Sequence, residues 1–341
     1  MPTLYLNGRD TEARVESKRV VVTRYDEEAQ KIMTMRVPFF EIDRVVVIGQ
    51  AACTMPLLHR LARKQIPIHL LTGSAKWLGT FYPNANGHAL RRLKQYELAR
   101  DGHFSLRNAR EVVAAKLRNS RRVLQRMAAN RDESKTQEQL AVCNSLQMLI
   151  LKALEADTPD CLRGYEGHGA AIYFRRLGDF FPEETPFKGR NRRPPKDEAN
   201  ALLSWTYTIV LTEIDAAVRS AGLDPCLGFF HEVSYGRPSL ALDLLEPLRP
   251  ALCDMLVLRL LNHRLLRKDD HFEFRAEEGG VFLNEVGRRS FFPEYERTML
   301  RRFSASKGGQ HTDFRKVIRE QVNAFMRVME KRADPEFFIM P

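Results

Sequence analysis

The spacing of apolar residues changes once along this 341-residue chain, and the change divides it into two kinds of structure. Up to residue 81, apolar residues come in short β-branched or alternating runs, which are typical of strands. After the turn-rich segment Pro83–Gly87 they recur at three- and four-residue steps, as on one face of a helix. A chain of this length also exceeds what one compact core usually supports. The sequence therefore predicts an α+β protein with two domains.

Residues 1–85 are predicted to form a small, β-rich, sandwich-like domain, residues 86–96 a linker, and residues 97–341 a larger all-α domain. Strands this short and closely spaced favour two packed sheets over a doubly wound parallel sheet. The predicted strands are Thr3–Leu6, Glu12–Val15, Arg19–Tyr25, Lys31–Arg36, Arg44–Ile48, Ile66–Leu71 and Trp77–Phe81.

The predicted helices are Thr54–Arg63, Leu140–Leu154, Ala170–Arg176, Ala199–Ala221, Ser239–Leu266 and Phe314–Lys331. A small hairpin is predicted over Phe272–Phe282, and a hinge over Ser304–Gln310. The apolar tail Pro335–Pro341 either packs back onto the protein or docks into a partner.

The chain is strongly basic, with 54 Lys and Arg against 43 Asp and Glu and a formal net charge of +11. This excess favours a polyanion such as nucleic acid, although an anionic membrane or simple solubility would use the same charge. Between His88 and Arg126 there are eleven Lys or Arg and three acidic residues. A solvated helix face normally alternates the sign of its charges, so this segment is predicted to contact phosphates. Its arginines include Arg118, Arg121 and Arg122.

The amino terminus lacks the basic start and apolar run of a signal peptide. The longest apolar stretch considered as a membrane span, Leu252–Leu261, is interrupted by Asp254 and Arg259. The sequence therefore predicts a cytoplasmic protein with no membrane partner.

Glu166 is the first candidate metal ligand. It lies in the segment Gly164–Ala171, whose glycines do not follow a strand as in a dinucleotide-binding unit, and the chain has no GxxxxGK[ST] motif. A glutamate at the start of a helix such as Ala170–Arg176 commonly just stabilises the helix N-terminus. Taken alone, the segment favours that structural role.

His231 precedes two acids, Asp243 and Glu246, that stand three residues apart on one face of a predicted helix. Their neighbours are leucines, and burying two like charges among leucines is expensive without a cation. The same spacing on a surface helix would mean little, but this setting favours a metal ion.

Glu166, His231 and Glu246 together offer one nitrogen and two carboxylates, with Asp243 adjacent. An oxygen-rich set suits Mg²⁺ or Mn²⁺, and the imidazole favours Mn²⁺. Zinc is less suited, because the five cysteines are widely spaced. Such an ion polarises a phosphodiester and lowers the pKa of a bound water or hydroxyl. Basic helices beside such a site favour a DNA nuclease or strand-transfer enzyme.

In three stretches the chain resembles the CRISPR-associated spacer-acquisition integrase family, the Cas-one proteins. They are Gly164–Phe174, Asn191–Tyr207 (NRRPPKDEANALLSWTY) and Gly228–Pro250 (GFFHEVSYGRPSLALDLLEPLRP). The last two are long and specific, and the predicted order of domains agrees, so the resemblance covers essentially the whole chain. It implies a β-rich dimerisation domain followed by a helical catalytic domain.

The resemblance implies metal ligands at Glu166, His231 and Glu246, with Asp243 as the first acid of the DxxE pair. Asn200 matches the asparagine of the middle stretch, and the resemblance implies that it orders the ligands or the substrate. The third ligand is aspartate in some members, and glutamate here adds a methylene to its reach.

The resemblance also implies an assembly and a reaction. Two homodimers would flank a dimer of a small companion, Cas-two, and the complex would insert a double-stranded protospacer at a repeat array. A 3′-hydroxyl would attack a repeat-boundary phosphate, and water in its place would hydrolyse branched or single-stranded DNA. The basic helix, with Arg192, Arg193 and Arg237, would hold backbone phosphates without reading sequence.

Two alternatives stay open at this point. One is a general structure-selective nuclease with no integration role. The other is a catalytically silent scaffold that binds nucleic acid.

Overall fold

The structure is a computed structural model that describes residues 3–26, 30–74, 76–81, 88–191, 193–304, 311–331 and 333–341. Several sequence-based predictions fall outside these residues. They are the turn-rich segment Pro83–Gly87 with the start of the predicted linker 86–96, Arg192, and residues 305–310 of the predicted hinge. The division into domains at residues 85 and 96 therefore stays a prediction.

The described residues of the amino-terminal part contain eight strands in two four-stranded sheets. The strands are β1 (Thr3–Asn7), β2 (Thr11–Glu16), β3 (Arg19–Asp26), β4 (Lys31–Pro38), β5 (Arg44–Ile48), β6 (Ala52–Cys53), β7 (Ile68–Leu71) and β8 (Trp77–Phe81). The first sheet has the order β1-β5-β7-β8, with its first three strands parallel, and the second has the order β4-β3-β2-β6. The seven predicted strands are confirmed, whereas the two-residue β6 carries no strand signal in the sequence.

Strand β5 shows how the layers are arranged. All five of its residues are buried, and successive side chains enter different cores. Val45 and Val47 belong to the core shared with the second sheet and helix α1 (Met55–Arg63), while Val46 and Ile48 belong to the core of the helical part. A strand buried on both faces reads as a continuous apolar run. The first sheet is therefore the middle layer, between the second sheet and the helices.

The remaining chain is mainly helical. Its helices are α2 (Ala89–Ala99), α3 (Gly102–Ala129), α4 (Gln137–Leu154), α5 (Pro159–Gly178), α6 (Glu198–Ser220), α7 (Ser239–Leu245), α8 (Met255–Asn262), α9 (Lys268–His271), α10 (Glu285–Leu300) and α11 (Phe314–Met329). Its strands form the hairpin β9 (Phe272–Arg275) with β10 (Gly280–Leu283), and the short pair β11 (Phe303–Ser304) with β12 (His311–Thr312). The predicted α+β fold is confirmed, as is the hairpin, and the two small sheets sit inside a domain expected to be all-α.

Helix α5 begins well before the predicted segment Ala170–Arg176. The Thr158 side chain caps it by accepting from the Cys161 backbone N–H, and Pro159 occupies the first turn, where its missing N–H costs nothing. Glu166 therefore lies inside the helix, and the prediction that it stands at a helix N-terminus is wrong. The glycines before residue 170 have low helix propensity, which hides this start in the sequence.

The predicted helix Ser239–Leu266 is interrupted directly after Glu246. Helix α7 ends at Leu245, a π-helical segment spans Arg249–Asp254, and α8 follows. Two prolines, at positions 247 and 250, lack the backbone N–H that a continuous helix needs. The interruption places the Glu246 side chain at a helix end.

Glu213 of α6 ties the amino-terminal sheet to the helices. Its Oε1 accepts hydrogen bonds from Arg44 of β5, from Arg315 of α11 at 3.3 Å and from the Tyr295 hydroxyl of α10 at 3.0 Å. Burial raises the pKa of Glu213, but Arg44 and Arg315 lower it, and the resulting pKa lies below the ordinary value. The fold therefore stabilises the ionised form.

The apolar tail Pro335–Pro341 packs back onto the helices. Asn119 of α3 donates from Nδ2 to the carbonyls of Pro247 at 2.7 Å and Phe338 at 2.9 Å. Its Oδ1 accepts from the Met340 N–H at 2.7 Å, and the Met340 side chain is buried. Of the two predicted fates of the tail, this is the one observed.

Helix α6 is long and apolar enough to cross a membrane by length and composition alone. However, 78% of its most apolar window is buried inside the protein, which is the ordinary situation of a core helix. The helix Ala199–Ala221 was predicted from the sequence, but it was not considered as a membrane span, because Glu213 and Asp215 interrupt its apolar run.

We expect Glu213→Gln to lower the free energy of unfolding by about 3 kcal/mol, because it removes the ionic partner of buried Arg44 and one partner of Arg315. Urea unfolding measures the loss. The matched control is Glu273→Gln, which breaks a surface pair with Arg275 and should cost less than about 1 kcal/mol.

The decrease in the free energy of unfolding should have its full size at pH values above the ordinary glutamate pKa. It should become smaller as the pH falls below that value, because protonation of wild-type Glu213 removes the same charge. Equal losses in the two variants would show that Glu213 does not join the sheet to the helices.

Candidate functional site

Three distant segments of the chain meet at Lys116 of α3. The Lys116 Nζ donates to Oε1 of Glu166 on α5 and lies 2.6 Å from Oε2 of Glu246, at the end of α7. The His231 Nε2 lies 3.8 Å from Glu246 Oε1. The structure therefore brings the three predicted metal ligands close together. The largely buried Lys116 ammonium contacts Glu166 and Glu246, and His231 lies beside Glu246.

The close packing of α5 on α3 puts Glu166 within reach of Lys116. A Cβ added to Gly169 would stand 2.3 Å from the Leu117 Cδ2, so only glycine allows this approach without displacement of the leucine. Gly169 lies one turn beyond Glu166, and Leu117 is the neighbour of Lys116. A glycine that weakens the helix signal in the sequence thus allows the contact on which the site depends.

Asp243 of α7 orients His231. Its Oδ2 accepts from the backbone N–H groups of Phe229 at 2.6 Å and Phe230 at 3.0 Å, and its Oδ1 accepts from the N–H of His231 at 2.9 Å. The His231 Nδ1 lies 2.6 Å from the same Oδ1. An ionised Asp243 accepts the Nδ1 proton, which leaves the Nε2 lone pair facing Glu246. Asp243 is therefore a positioning residue rather than a ligand.

Gly228 provides the space for Asp243. A Cβ at Gly228 would stand 2.5 Å from the Asp243 Oδ2 and 2.8 Å from the Ser239 carbonyl carbon. The backbone of the loop can consequently wrap around the carboxylate and direct three successive N–H groups at it. The GFFH segment and the DxxE segment, which resemble the family pattern, form one unit.

Glu246 is buried, and basic side chains keep it ionised. Arg249 donates from Nε to its Oε1 at 3.0 Å, and Lys116 contacts its Oε2. Burial raises the pKa of Glu246, but Arg249 and Lys116 lower it, and the resulting pKa is far below the ordinary value. Burial lowers the pKa of Lys116, but Glu246 and Glu166 raise it above its ordinary value. Both groups are therefore charged at neutral pH.

Arg249 is held by a second layer of buried groups. Its guanidinium lies 4.5 Å from the centroid of the Tyr207 ring, and the Tyr207 hydroxyl donates to Asp254 at 2.6 Å. The Tyr173 hydroxyl donates to the same carboxylate at 2.8 Å. Burial raises the pKa of Asp254 to about 6, although both tyrosines lower it. This layer fixes the arginine that neutralises Glu246.

The side chain of Asn200 makes its hydrogen bonds with the loop that precedes α6. Its Oδ1 accepts from Arg190 Nη1 at 2.7 Å and the Asn191 N–H at 3.0 Å, and its Nδ2 donates to the Gly189 carbonyl and to Asp197 Oδ2. Among the described residues, no hydrogen bond joins Asn200 to Glu166, His231 or Glu246. It therefore orders the basic loop rather than the ligands directly.

The three predicted phosphate contacts on α3 lie on a different side of the helix from Lys116. With 3.6 residues per turn, they point about 140° to 240° around the axis from it. Arg121 donates to the Cys143 carbonyl of α4 at 3.2 Å, Arg118 is partly exposed and Arg122 is exposed. DNA bound by these arginines would approach from a side of α3 away from the carboxylates.

The other predicted contacts lie in two loops. Arg193 is exposed in the loop before α6, and Arg237 is partly buried just before α7. Arg192 lies outside the described residues.

Sequence reasoning missed the roles of Lys116 and Arg249. Lys116 was grouped with the other basic residues of α3 as a phosphate contact, although the neighbouring Val112, Val113 and Leu117 mark a buried stretch. A single lysine in such a stretch needs a buried acid. Arg249 stands three residues after Glu246, a spacing at which opposite charges pair on a helix.

The residues present fit a divalent ion such as Mg²⁺ or Mn²⁺. The Glu246 Oε2 is buried with the Lys116 ammonium 2.6 Å away, and an imidazole nitrogen and a second carboxylate lie nearby. Among the described residues, no three His, Cys, Asp or Glu side chains stand at metal-binding spacing. The ammonium of Lys116 separates the two glutamates.

A family model described as CRISPR associated protein Cas1 matches residues 4–297. The CRISPR-associated endonuclease Cas1 1 of Thermodesulfovibrio yellowstonii is 32% identical over 324 residues, which cover 94% of this chain and 98% of the relative. A solved casposase bound to integration product has a TM-score of 0.86 and 23% identity, and the match covers 100% of this chain and 94% of that one.

A chain of a solved Cas6-RT-Cas1–Cas2 complex has a TM-score of 0.80 and 25% identity, and the match covers 99% of this chain and 36% of that one. The agreement with the family model and with the relative extends along most of the sequence. This protein therefore belongs to the CRISPR-associated protein Cas1 family, whose curated relatives are named endonucleases.

Proposed function

We propose that this enzyme is a metal-dependent DNA endonuclease and integrase that inserts short foreign DNA into a CRISPR array. The observation that carries the proposal is the convergence of Glu166, His231 and Glu246, which lie up to 80 residues apart in sequence, on one buried position. Two carboxylates and one imidazole can hold a divalent ion, and such an ion promotes reactions at a phosphodiester.

Glu166, His231 and Glu246 would hold Mg²⁺ or Mn²⁺. When bound, such an ion stabilises the negative charge that develops on a phosphodiester under attack. Asp243 holds the proton on His231 Nδ1 and so keeps Nε2 free as a donor atom. Arg249 keeps Glu246 ionised, and the Tyr207 ring and Asp254 hold Arg249 in place.

In the proposed reaction a 3′-hydroxyl oxygen of the incoming DNA forms a bond to a phosphorus at the repeat boundary. The bond from that phosphorus to the 3′ oxygen of the array strand breaks. The attacking hydroxyl releases its proton to solvent, and the leaving 3′ oxygen takes one up from solvent. One phosphodiester replaces another, so no external energy source is needed. Water in place of the hydroxyl gives hydrolysis of branched or single-stranded DNA.

We further propose the assembly that the family resemblance implies. The chain would form homodimers through residues 1–85, bind a small Cas2 partner and act on double-stranded protospacer DNA in the prokaryotic cytoplasm. The support is the likeness to a chain of a Cas6-RT-Cas1–Cas2 complex and to a casposase bound to integration product. Phosphate contacts are proposed for Arg118, Arg121, Arg122, Arg192, Arg193 and Arg237.

The competing functions are a general structure-selective nuclease and a scaffold without catalysis. We expect the protein, given Mn²⁺, a protospacer duplex and a supercoiled repeat plasmid, to yield joined products on a gel. Glu166→Ala should reduce joining and cleavage by more than about 100-fold. Substitution of a residue that only hydrogen-bonds to a metal ligand typically costs about 10- to 100-fold. Cleavage without joining favours the nuclease, and turnover unchanged in Glu166→Ala removes this residue from the mechanism.

Asp243→Asn should lower Mn²⁺ affinity by about 10- to 100-fold, because an amide no longer fixes the His231 tautomer. Isothermal titration measures the affinity, and DNA binding in the absence of metal should be retained. Thermal unfolding of the variant checks that the fold survives. Unchanged Mn²⁺ affinity would mean that His231 orientation does not matter to the site.

Reversing Arg118, Arg121 and Arg122 to Glu should weaken DNA binding and flatten its dependence on salt, by about one unit of log–log slope for each phosphate that the protein no longer neutralises. The control reverses Arg264, Arg267 and Lys268, which are exposed elsewhere on the helical part. Fluorescence anisotropy over a salt series gives both slopes. If both triple variants have the same slope, α3 is not the DNA-binding surface.

A further inference from the structure

The Lys116 ammonium lies where the two glutamate side chains converge. It donates to Glu166 Oε1 and stands 2.6 Å from Glu246 Oε2, and among the described residues these two carboxylates are its polar contacts. Its side chain is 13% exposed, and that of Glu166 is 22% exposed, so the position is reached from solvent on the α5 side. A protein cation thus fills the place that the proposed function gives to a divalent ion.

We propose that Lys116 is a built-in competitor for the metal, and that a DNA phosphate is the anion that draws its ammonium away. The inference rests on the proposed function, because it concerns the same site. Lys116 is a positioning residue in this view. It holds Glu166 and Glu246 together in the metal-free protein and leaves when the ion enters.

The ion and the ammonium cannot occupy the site together. Carboxylate oxygens bind Mg²⁺ at about 2.0–2.1 Å, so an ion shared by Glu166 and Glu246 would overlap the volume of the ammonium. Two cations this close in a largely buried site also repel strongly. Entry of the metal therefore requires the lysine to move.

Among the described residues, Asp243 and the Glu246 Oε1 already have partners and do not offer a new place for the displaced ammonium. Asp243 already accepts from three backbone N–H groups and from the His231 ring. Glu246 Oε1 is bonded to Arg249. The direction open to the ammonium is toward solvent, past Glu166. The phosphate it would meet there is the one under attack in the proposed reaction, not those proposed to contact the arginines of α3. Phosphate is a strong acceptor for a lysine ammonium.

Metal and DNA affinities should consequently be coupled. Without DNA, the metal must displace Lys116 into water and binds weakly. With DNA, the phosphate stabilises the displaced lysine and metal binding becomes tighter. Such coupling is reciprocal, so Mn²⁺ should tighten DNA binding by the same factor. The arrangement would limit metal loading, and hence nuclease activity, to protein that already holds DNA.

The test is Mn²⁺ binding, measured by isothermal titration and by electron paramagnetic resonance of free Mn²⁺, with and without a short duplex. Lys116→Met should bind Mn²⁺ at least about tenfold more tightly than wild type without DNA, within the usual range of coupling of about 5- to 150-fold. Added duplex should strengthen Mn²⁺ binding by wild type and leave Lys116→Met unchanged. Lys116→Arg, which keeps the charge, should bind Mn²⁺ weakly without DNA.

The matched control is Arg163→Met, which removes one positive charge a helical turn before Glu166 but not from between the carboxylates. Its Mn²⁺ affinity should stay close to that of wild type, and an increase equal to that of Lys116→Met would overturn the proposal. Thermal unfolding with and without Mn²⁺ gives a second reading. The ion should raise the melting temperature of Lys116→Met more than that of wild type.

Glu166→Gln separates the two proposals. If wild type and Glu166→Gln bind Mn²⁺ equally, the metal site itself is wrong. If Mn²⁺ binding needs Glu166 but Lys116→Met binds the ion no more tightly than wild type, the metal site stands and the role of Lys116 fails. A titration of Glu166→Gln with the duplex measures the Mn²⁺ bound by the duplex itself, and this amount is subtracted from the other titrations.

Discussion

A carboxylate can be buried in a protein as an anion only if cations or N–H donors surround it, and Glu213 and Glu246 show how this protein meets that constraint. Glu213 joins the amino-terminal sheet to the helices through Arg44 and Arg315. Glu246 collects Arg249 and Lys116 at the candidate metal site. In both places burial raises the pKa and basic neighbours lower it. Buried ion pairs thus join the layers of the fold and keep Glu246 ionised at the candidate metal site.

Several groups near the candidate site are held by hydrogen bonds to buried side chains. Asp243 holds the His231 loop, and Asn119 joins Pro247, the residue after Glu246, to the chain near Phe338. A preorganised set of ligands loses little freedom when an ion binds, which favours a defined geometry over a flexible one. The ammonium of Lys116 keeps the two glutamates close while no ion holds them.

Most of the strands could be predicted from the sequence, and so could three side chains of the candidate site, because both rest on local patterns or on motif residues. Alternating or continuous β-branched runs mark β1 to β5, and the GFFH and DxxE segments carry the resemblance to the Cas1 family. The start of α5 could not be predicted, since its glycines suit a loop as well as close helix packing. Contacts such as Lys116 with Glu166 join residues 50 positions apart, and no local pattern encodes them.

The attachment of the tail through Asn119 also bears on how the protein is made. Residues 338–340 leave the ribosome after all of the site residues 116–246, yet their backbone completes the hydrogen bonds that hold Asn119 beside the segment following Glu246. During translation the ligand-bearing helices therefore emerge while this brace is still missing. A nascent chain that has not yet released these residues would carry the candidate site without this brace.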